Sequence, residues 1–115
     1  MNRKAAAPSQ GDVVWLDHDP RAGREHAGRY PVLVLSPQAY NAAAGLLLCC
    51  PITMQIKGYP FEVTLTGIKG LLGVVLADQL GSLDWSARNA ERAGRATDDV
   101  VADVLAKLRV LLTQP

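Results

Sequence analysis

Cysteine is scarce in this chain, two among 115 residues, and the two are neighbours, Cys49 and Cys50 in LLLCCPIT. In an extended segment adjacent side chains point to opposite faces, so the pair is unsuited to a structural disulfide or to joint ligation of one metal. It reads as two small buried hydrophobes in a reducing compartment. Excess charge of either sign is also missing: twelve Lys and Arg stand against eleven Asp and Glu, a formal net charge of +1. That balance excludes a global field that would draw the protein onto nucleic acid or an anionic membrane, and any such contact must rest on local arginines and lysines. Long hydrophobic runs are absent. None approaches the roughly 20 residues of a membrane span, the longest being interrupted at Pro31, Pro37, Pro51 and Lys57. The N-terminal MNRKAAAPSQGD reaches Pro8 and Gly11 after three alanines and holds no signal-peptide core. A soluble cytoplasmic protein without membrane association is the expectation. Motifs for metals and phosphates are missing too: there is no H-E-x-x-H, no C-x-x-C and no phosphate-binding glycine loop. His18 and His26 lie eight residues apart across a turn-rich segment, with nothing in the sequence to make them converge. No metal and no cofactor are expected.

What is present is the punctuation of a small β protein. The length suits one domain with one core. Residues 1–10 read as a loose arm and 11–115 as a single domain. GDVVWLDHDP opens with a strand and closes on the Asp19-Pro20 turn. YPVLVLS is continuously apolar and therefore central, with Pro31 at its start, where a missing N–H is tolerated. PQAYNAAAG holds a short helical turn or loop closed by Gly45, and a third strand follows over 46–52. FEVTL alternates, with Phe61, Val63 and Leu65 on one face and Glu62 and Thr64 on the other. GVVLADQ is a further strand, and SLDWSAR supplies a short last one. Thr97 then caps a helix over about 98–112, with Asp98 and Asp99 in its first turn and Lys107 and Arg109 in its last. Val101, Val104, Leu105, Leu108, Leu111 and Leu112 form the stripe it buries. Hydrophobic residues make up 49% of the chain, more than one small core absorbs, so part of them is expected at an interface between copies of the chain.

Polar side chains gather at strand ends, where loops converge over one rim. Arg29, Tyr30, Thr53, Gln55, Lys57, Gln79 and Arg88 supply the donors. Each also has a plainer explanation. Glu25 reads also as a solvated turn residue and His26 as an exposed one, Thr53 as a loop cap, Gln55 and Lys57 as loop residues, and Asp78 with Gln79 as a turn pinned by side-chain to backbone bonds. Trp15 and Trp85 read as core or interface residues.

Taken together, GDVVWLDHDP, GREHAG, PVLVLSP followed by YN, PIT-x-Q with KGYPFEV, and VVLADQLGSLDW resemble the MazF/PemK family of bacterial toxins, in order and in spacing, over about residues 11 to 112. The resemblance implies a mainly β fold, a small SH3-like barrel with a C-terminal helix, in a homodimer. It implies metal-independent cleavage of single-stranded RNA, mainly mRNA, leaving a 2',3'-cyclic phosphate and a 5'-OH. It also implies a cognate antitoxin as partner, with promoter DNA reached only through that antitoxin. Thr53 matches the family's catalytic threonine, Glu25 a supporting glutamate, Gln79 the glutamine of ADQ, and Lys57 a lysine of the RNA groove. Chemistry of this kind needs an acceptor for the 2'-OH proton, cations or donors around the phosphate, and a proton for the leaving oxygen.

One position departs from the family pattern. The residue before the strand proline is a catalytic arginine in the family, whereas here it is Tyr30, with the arginine one place earlier at Arg29. A one-residue displacement in an extended segment turns a side chain to the other face. Arg29 is nonetheless the cation expected to compensate in part, with Tyr30, His26, Gln55 and Arg88 as supporting or RNA-binding residues. Base recognition is expected from the loops over 17–30 and 53–60, with Met54 beside Thr53 read as a packing residue. Two alternatives stay open: poisoning of DNA gyrase by a protein of the same fold, and a catalytically impaired dimer that binds antitoxin, for which Tyr30 is the supporting observation.

Overall fold

The computed structural model describes residues 6–18 and 28–113. Glu25 and His26 therefore lie outside the described residues. Strands β1 (Asp12–Asp17), β2 (Arg29–Val34), β3 (Leu46–Thr53), β4 (Glu62–Thr64), β5 (Val74–Leu76), β6 (Gly81–Asp84) and β7 (Glu91–Arg95) are joined by helices α1 (Gln38–Ala44) and α2 (Asp98–Thr113). The sheet order is β4-β5-β3-β2-β1-β7, with β6 also paired to β3. As its apolar run predicts, β2 is central: it pairs antiparallel with β1 on one side and with β3 on the other. It starts at Arg29, so Pro31 is an interior residue opposite Trp15.

Alternation distributes the side chains of this central trio over two apolar clusters. Val13, Leu33 and Cys50 face one, with Val63, Val75 and the helix residues Val100, Val104 and Leu108. Val14, Leu16, Val32 and Cys49 face the other, covered by Tyr30, Leu83, Trp85 and Ala90. The adjacent cysteines are thus divided between two cores. Burial, the largest cause, pushes the Cys49 thiol up to about 12 and Cys50 to about 11 from an ordinary 9.0, which leaves both protonated and inert at neutral pH. In β3, Cys49 to Pro51 pair with β2, while Ile52 and Thr53 pair with β5. The ladder changes partner after Pro51, which has no N–H to donate. Gly73 makes the new pairing close: a Cβ there would collide with the Thr53 carbonyl.

Four readings from sequence need correction. The last strand is β7, ERAGR, and not SLDWSAR, which contains β6; β7 is a polar edge strand, mostly exposed, and carries no apolar alternation to betray it. Helix α2 is capped by Thr97, whose Oγ1 accepts the Val100 N–H at 3.4 Å, but it runs on to Thr113 and has no basic residue in its last turn. Only part of the expected stripe is buried: Val104 and Leu108 pack inward, joined by Val100, which lay outside that stripe, and Val101 is partly buried against the same cluster, whereas Leu105, Leu111 and Leu112 are 39%, 46% and 69% exposed. Finally, residues 7–10 do not behave as an arm. Gln38 Nε2 donates to the Ala7 carbonyl at 2.9 Å, Asn41 Nδ2 to the Pro8 carbonyl at 2.8 Å, and Gln10 Nε2 to the Leu35 carbonyl at 2.7 Å. Among the described residues, no helix is long and apolar enough to cross a membrane.

Candidate active site

Thr53 is the last residue of β3, half-buried. Its Oγ1 accepts the Gln55 N–H at 3.1 Å, the local hydroxyl-to-backbone bond that starts a turn. The chain therefore leaves the strand sharply and returns over its own end. Glu62, at the start of β4, holds this returning loop: its carboxylate accepts the Lys57 N–H at 3.1 Å and the Gly58 N–H at 2.9 Å. Gly58 sits at φ 80, the left-handed region that glycine adopts without strain. On the opposite side the Gln79 N–H donates to the Leu76 carbonyl at 3.1 Å, and this turn brings Asp78 and Gln79 off the end of β5.

The result is a cleft of about 240 Å³ between three chain segments. Thr53, Gln55 and Lys57 line one side, Asp78 and Gln79 another, and Tyr59, Phe61 and Glu62 a third. Thr53, Gln55, Lys57 and Gln79, singled out from sequence, are thus brought together. Phe61 and Glu62 were missed, being assigned only to the two faces of a strand, and Tyr59 was covered only as part of the base-reading loop 53–60. The signal was there in KGYPFEV, which sets two aromatics within four residues of Lys57. Lys57 Nζ lies 5.8 Å from the Tyr59 ring centroid, within reach of a cation–π contact. Two carboxylates against one ammonium make the cleft a poor seat for a phosphate. The amino edge of a base, flanked by aromatic faces, suits it better.

Arg29 and Tyr30 do not line this cleft. The β2–β3 register pairs Leu33 with Cys50 and Val32 with Pro51. Carried two residues further, it sets Tyr30 opposite Thr53, on the sheet face of Val32, and turns Arg29 to the other face. There Arg29 opposes Asp17 of β1. Its Nη1 donates to Asp17 Oδ1 at 3.1 Å, and Nη2 donates to the Trp15 and Asn89 carbonyls, both at 3.2 Å, and lies 3.5 Å from Glu91 Oε1. Asp17, nearly buried, also accepts Asn89 Nδ2 at 2.8 Å. The guanidinium is thereby committed to the corner where β1, β2 and β7 meet.

A different arginine reaches the Tyr30 side. Arg88, from the turn after β6, donates Nη1 to the Asp17 carbonyl at 2.9 Å and also to the His18 carbonyl. His18 in turn stacks on Tyr30, centroids 4.3 Å apart and planes 20° from parallel. Sequence reading left His18 without a role, because a stack across two strand ends has no signature in spacing. Burial raises the Tyr30 pKa, Cys49 adds to the rise, and the nearby Arg88 guanidinium works against it; the phenol is a neutral donor at physiological pH. Among the described residues no group of three or more His, Cys, Asp or Glu is arranged to hold a metal ion.

The chain has relatives in both sequence and structure. The profile of the family described as PemK-like, MazF-like toxin of type II toxin-antitoxin system matches residues 9–112. The endoribonuclease toxin MazF of Escherichia coli K12 is 47% identical over 105 residues, covering 91% of this chain and 94% of that protein. Among solved structures, a MazE–MazF crystal form from Deinococcus radiodurans superposes with a TM-score of 0.84 at 48% identity, over 96% of this chain and 100% of that one. MazF alone from the same organism gives 0.82 at 53%, over 94% and 98%. Similarity of this extent takes in both strand ends that build the cleft, as well as the capping helix. The chain is a member of the PemK-like, MazF-like toxin family of type II toxin–antitoxin systems.

Proposed function

We propose that the protein is the toxin of its pair, a homodimeric, sequence-specific endoribonuclease of SH3-like barrel form that cuts single-stranded RNA, mainly mRNA, in the cytoplasm without a metal. The observation that carries this reading is the convergence of Thr53, Gln55, Lys57 and Gln79 on one cleft from separate segments, in a chain whose curated relatives are named as endoribonucleases. The 2'-OH attacks the adjacent phosphorus, its proton passes to a base, the bond to the 5'-oxygen breaks, and that oxygen takes up a proton. A 2',3'-cyclic phosphate and a 5'-OH result. Holding the 2'-OH in line with the leaving oxygen gives the intramolecular step its advantage. Thr53 Oγ1, at the rim where its strand end faces Tyr30, donates to a nonbridging oxygen, so the phosphate lies outside the cleft and a base enters it. Arg88 and the Tyr30 hydroxyl face the same charge from the opposing strand end, while Arg29 holds the corner behind them. Glu25 and His26, from the segment that precedes β2 in the sequence, contribute as supporting and proton-transfer groups. Tyr59 and Phe61 stack against bases, whose amino edges are read by Asp78 and Gln79.

A cognate antitoxin is the partner, and promoter DNA is reached only through it, since a net charge of +1 gives the toxin little phosphate affinity of its own. The second reading, an impaired dimer that binds antitoxin without cutting, is favoured by one observation, Tyr30 at the position where the family carries an arginine. Incubation of antitoxin-free protein with long single-stranded RNA in EDTA separates the two. Discrete cuts ending in cyclic phosphate are expected; intact RNA from folded protein would support the second reading instead.

The homodimer has its own support in the apolar groove between α2 and the sheet. Leu48 and Leu80 line one side of it and Leu105, Leu108 and Leu112 the other. Leu80, Leu105 and Leu112 remain 40%, 39% and 69% exposed in the single chain. Covering that surface with a second copy removes it from water, which favours association. Leu105→Lys together with Leu112→Glu is expected to convert the dimer to a folded monomer at micromolar concentration, read by sedimentation velocity. A dimer of unchanged affinity would place the interface elsewhere.

A further inference from the structure

On the far side of β1 from the Thr53 cleft, β7 carries a bulge. Val13 pairs with Gly94 and Val14 with Arg92, so Ala93 has no partner and the alternation along the strand is reset. Such a bulge re-aims side chains. Here it sends Arg92 and Arg95 toward the same carboxylate: Arg92 Nε lies 3.2 Å and Arg95 Nη1 3.4 Å from Asp12 Oδ1. Asp12 is nearly buried, and its other oxygen accepts the Ser9 N–H at 2.9 Å. One carboxylate thus orients two guanidiniums and neutralises only one. Among the described residues, their remaining nitrogens have no hydrogen-bond acceptor.

These arginines border a cleft of about 380 Å³ that also takes in Pro8, Gln38 and Trp85. Its Pro8 and Trp85 sides are tied together by one residue. Asn41 is fully buried; its Nδ2 donates to the Pro8 carbonyl at 2.8 Å, and its own carbonyl accepts Trp85 Nε1 at 2.9 Å. With its N–H taken, Trp85 has only its ring to present to a ligand.

We infer that this cleft is a second RNA-contacting subsite: it takes one nucleotide of a long single strand, base against Trp85 and the adjoining phosphate on the forks of Arg92 and Arg95. The inference rests on the RNA-cleaving reading above. An aromatic platform beside fixed cations is what sequence-tolerant single-strand binding requires, because every base has a π-face. The volume suits a single nucleotide, near the lower end of the roughly 300–1,000 Å³ of small-molecule sites. Tyr30 and Trp85 cover the same apolar cluster, so a strand leaving the Tyr30 end can follow one sheet face to the cleft, roughly 17 Å along β1. An acidic peptide would satisfy the guanidiniums but has no need of the indole face.

The test measures binding of an RNA of about 5 nucleotides containing a cleavage site and of a single strand of about 20, over a range of salt, on a Thr53→Ala background that does not cut. Arg92→Gln and Arg95→Gln each leave Asp12 one guanidinium, and folding is verified by thermal melting. Each is expected to weaken the long RNA several-fold more than the short one and to lower its salt slope by about 0.7; Arg92→Lys restores the slope. Trp85→Leu is expected to weaken the long RNA about fivefold or more at unchanged slope. Equal effects on both lengths, or none, would overturn the subsite. So would an effect confined to a Glu- and Leu-rich peptide used as competitor, which would assign the cleft to a peptide partner. If the parent protein binds neither RNA, the RNA reading itself fails and the subsite with it, an outcome distinct from an unchanged length ratio.

Discussion

Thr53→Val is expected to cut RNA at least about a hundredfold more slowly than the parent protein, the usual scale for losing a hydrogen-bonding group that acts on the reacting atoms. Valine keeps the β-branch and nearly the volume of threonine, so the end of β3 and its close contact with Gly73 are preserved. What disappears is the hydroxyl. Its loss also leaves the Gln55 N–H without its 3.1 Å acceptor, but that group is exposed and water replaces the bond at little cost. Thr53→Ser serves as the control, because it restores both the donor and the turn. Single-turnover rates on one defined RNA give the comparison. If valine and serine cut equally well, Thr53 is a loop cap and the chemistry lies elsewhere.

The second expected result separates the two arginines. On the proposed role, Arg88→Gln should lower the cleavage rate about a hundredfold, the scale on which losing one donor to developing phosphate charge acts. Arg29→Met should lower stability instead, by about 2–3 kcal/mol, because it removes one partner of a nearly buried carboxylate. Among the described residues, Asp17 keeps one bonded side chain, the Asn89 amide at 2.8 Å, in place of two. For a domain of this size the expected fall in melting temperature is roughly 10 °C or more, with the rate at low temperature little changed. Melting curves and single-turnover rates on both variants decide the matter. A rate loss on Arg29→Met with normal melting would return the catalytic role to Arg29, with the guanidinium leaving Asp17 for the phosphate. Normal rates in both would mean that neither cation faces the charge.

The sequence by itself determined most of the frame. Period-two alternation with glycine and proline punctuation is a local property, and it located β1 to β5; Thr97 and the two aspartates after it located the start of α2. The order of short motifs was enough for the family, and it pointed to Thr53, Lys57 and Gln79, which the fold brings to one cleft. What alternation could not reveal was β7, whose exposed polar residues carry no contrast between faces. Nor could the period of α2 tell which part of its apolar stripe packs inward and which stays exposed, because only the position of the sheet settles that. Tertiary structure alone decided the fate of the Arg29–Tyr30 pair. Its meaning depends on strand register, a relation between residues distant in the chain: Asp17 opposite Arg29 removes that guanidinium from the site, and the same pairing leaves Tyr30 to stack on His18. The Arg92–Asp12–Arg95 cluster was hidden for the same reason, since a bulge between β1 and β7 exists only once the two strands have met.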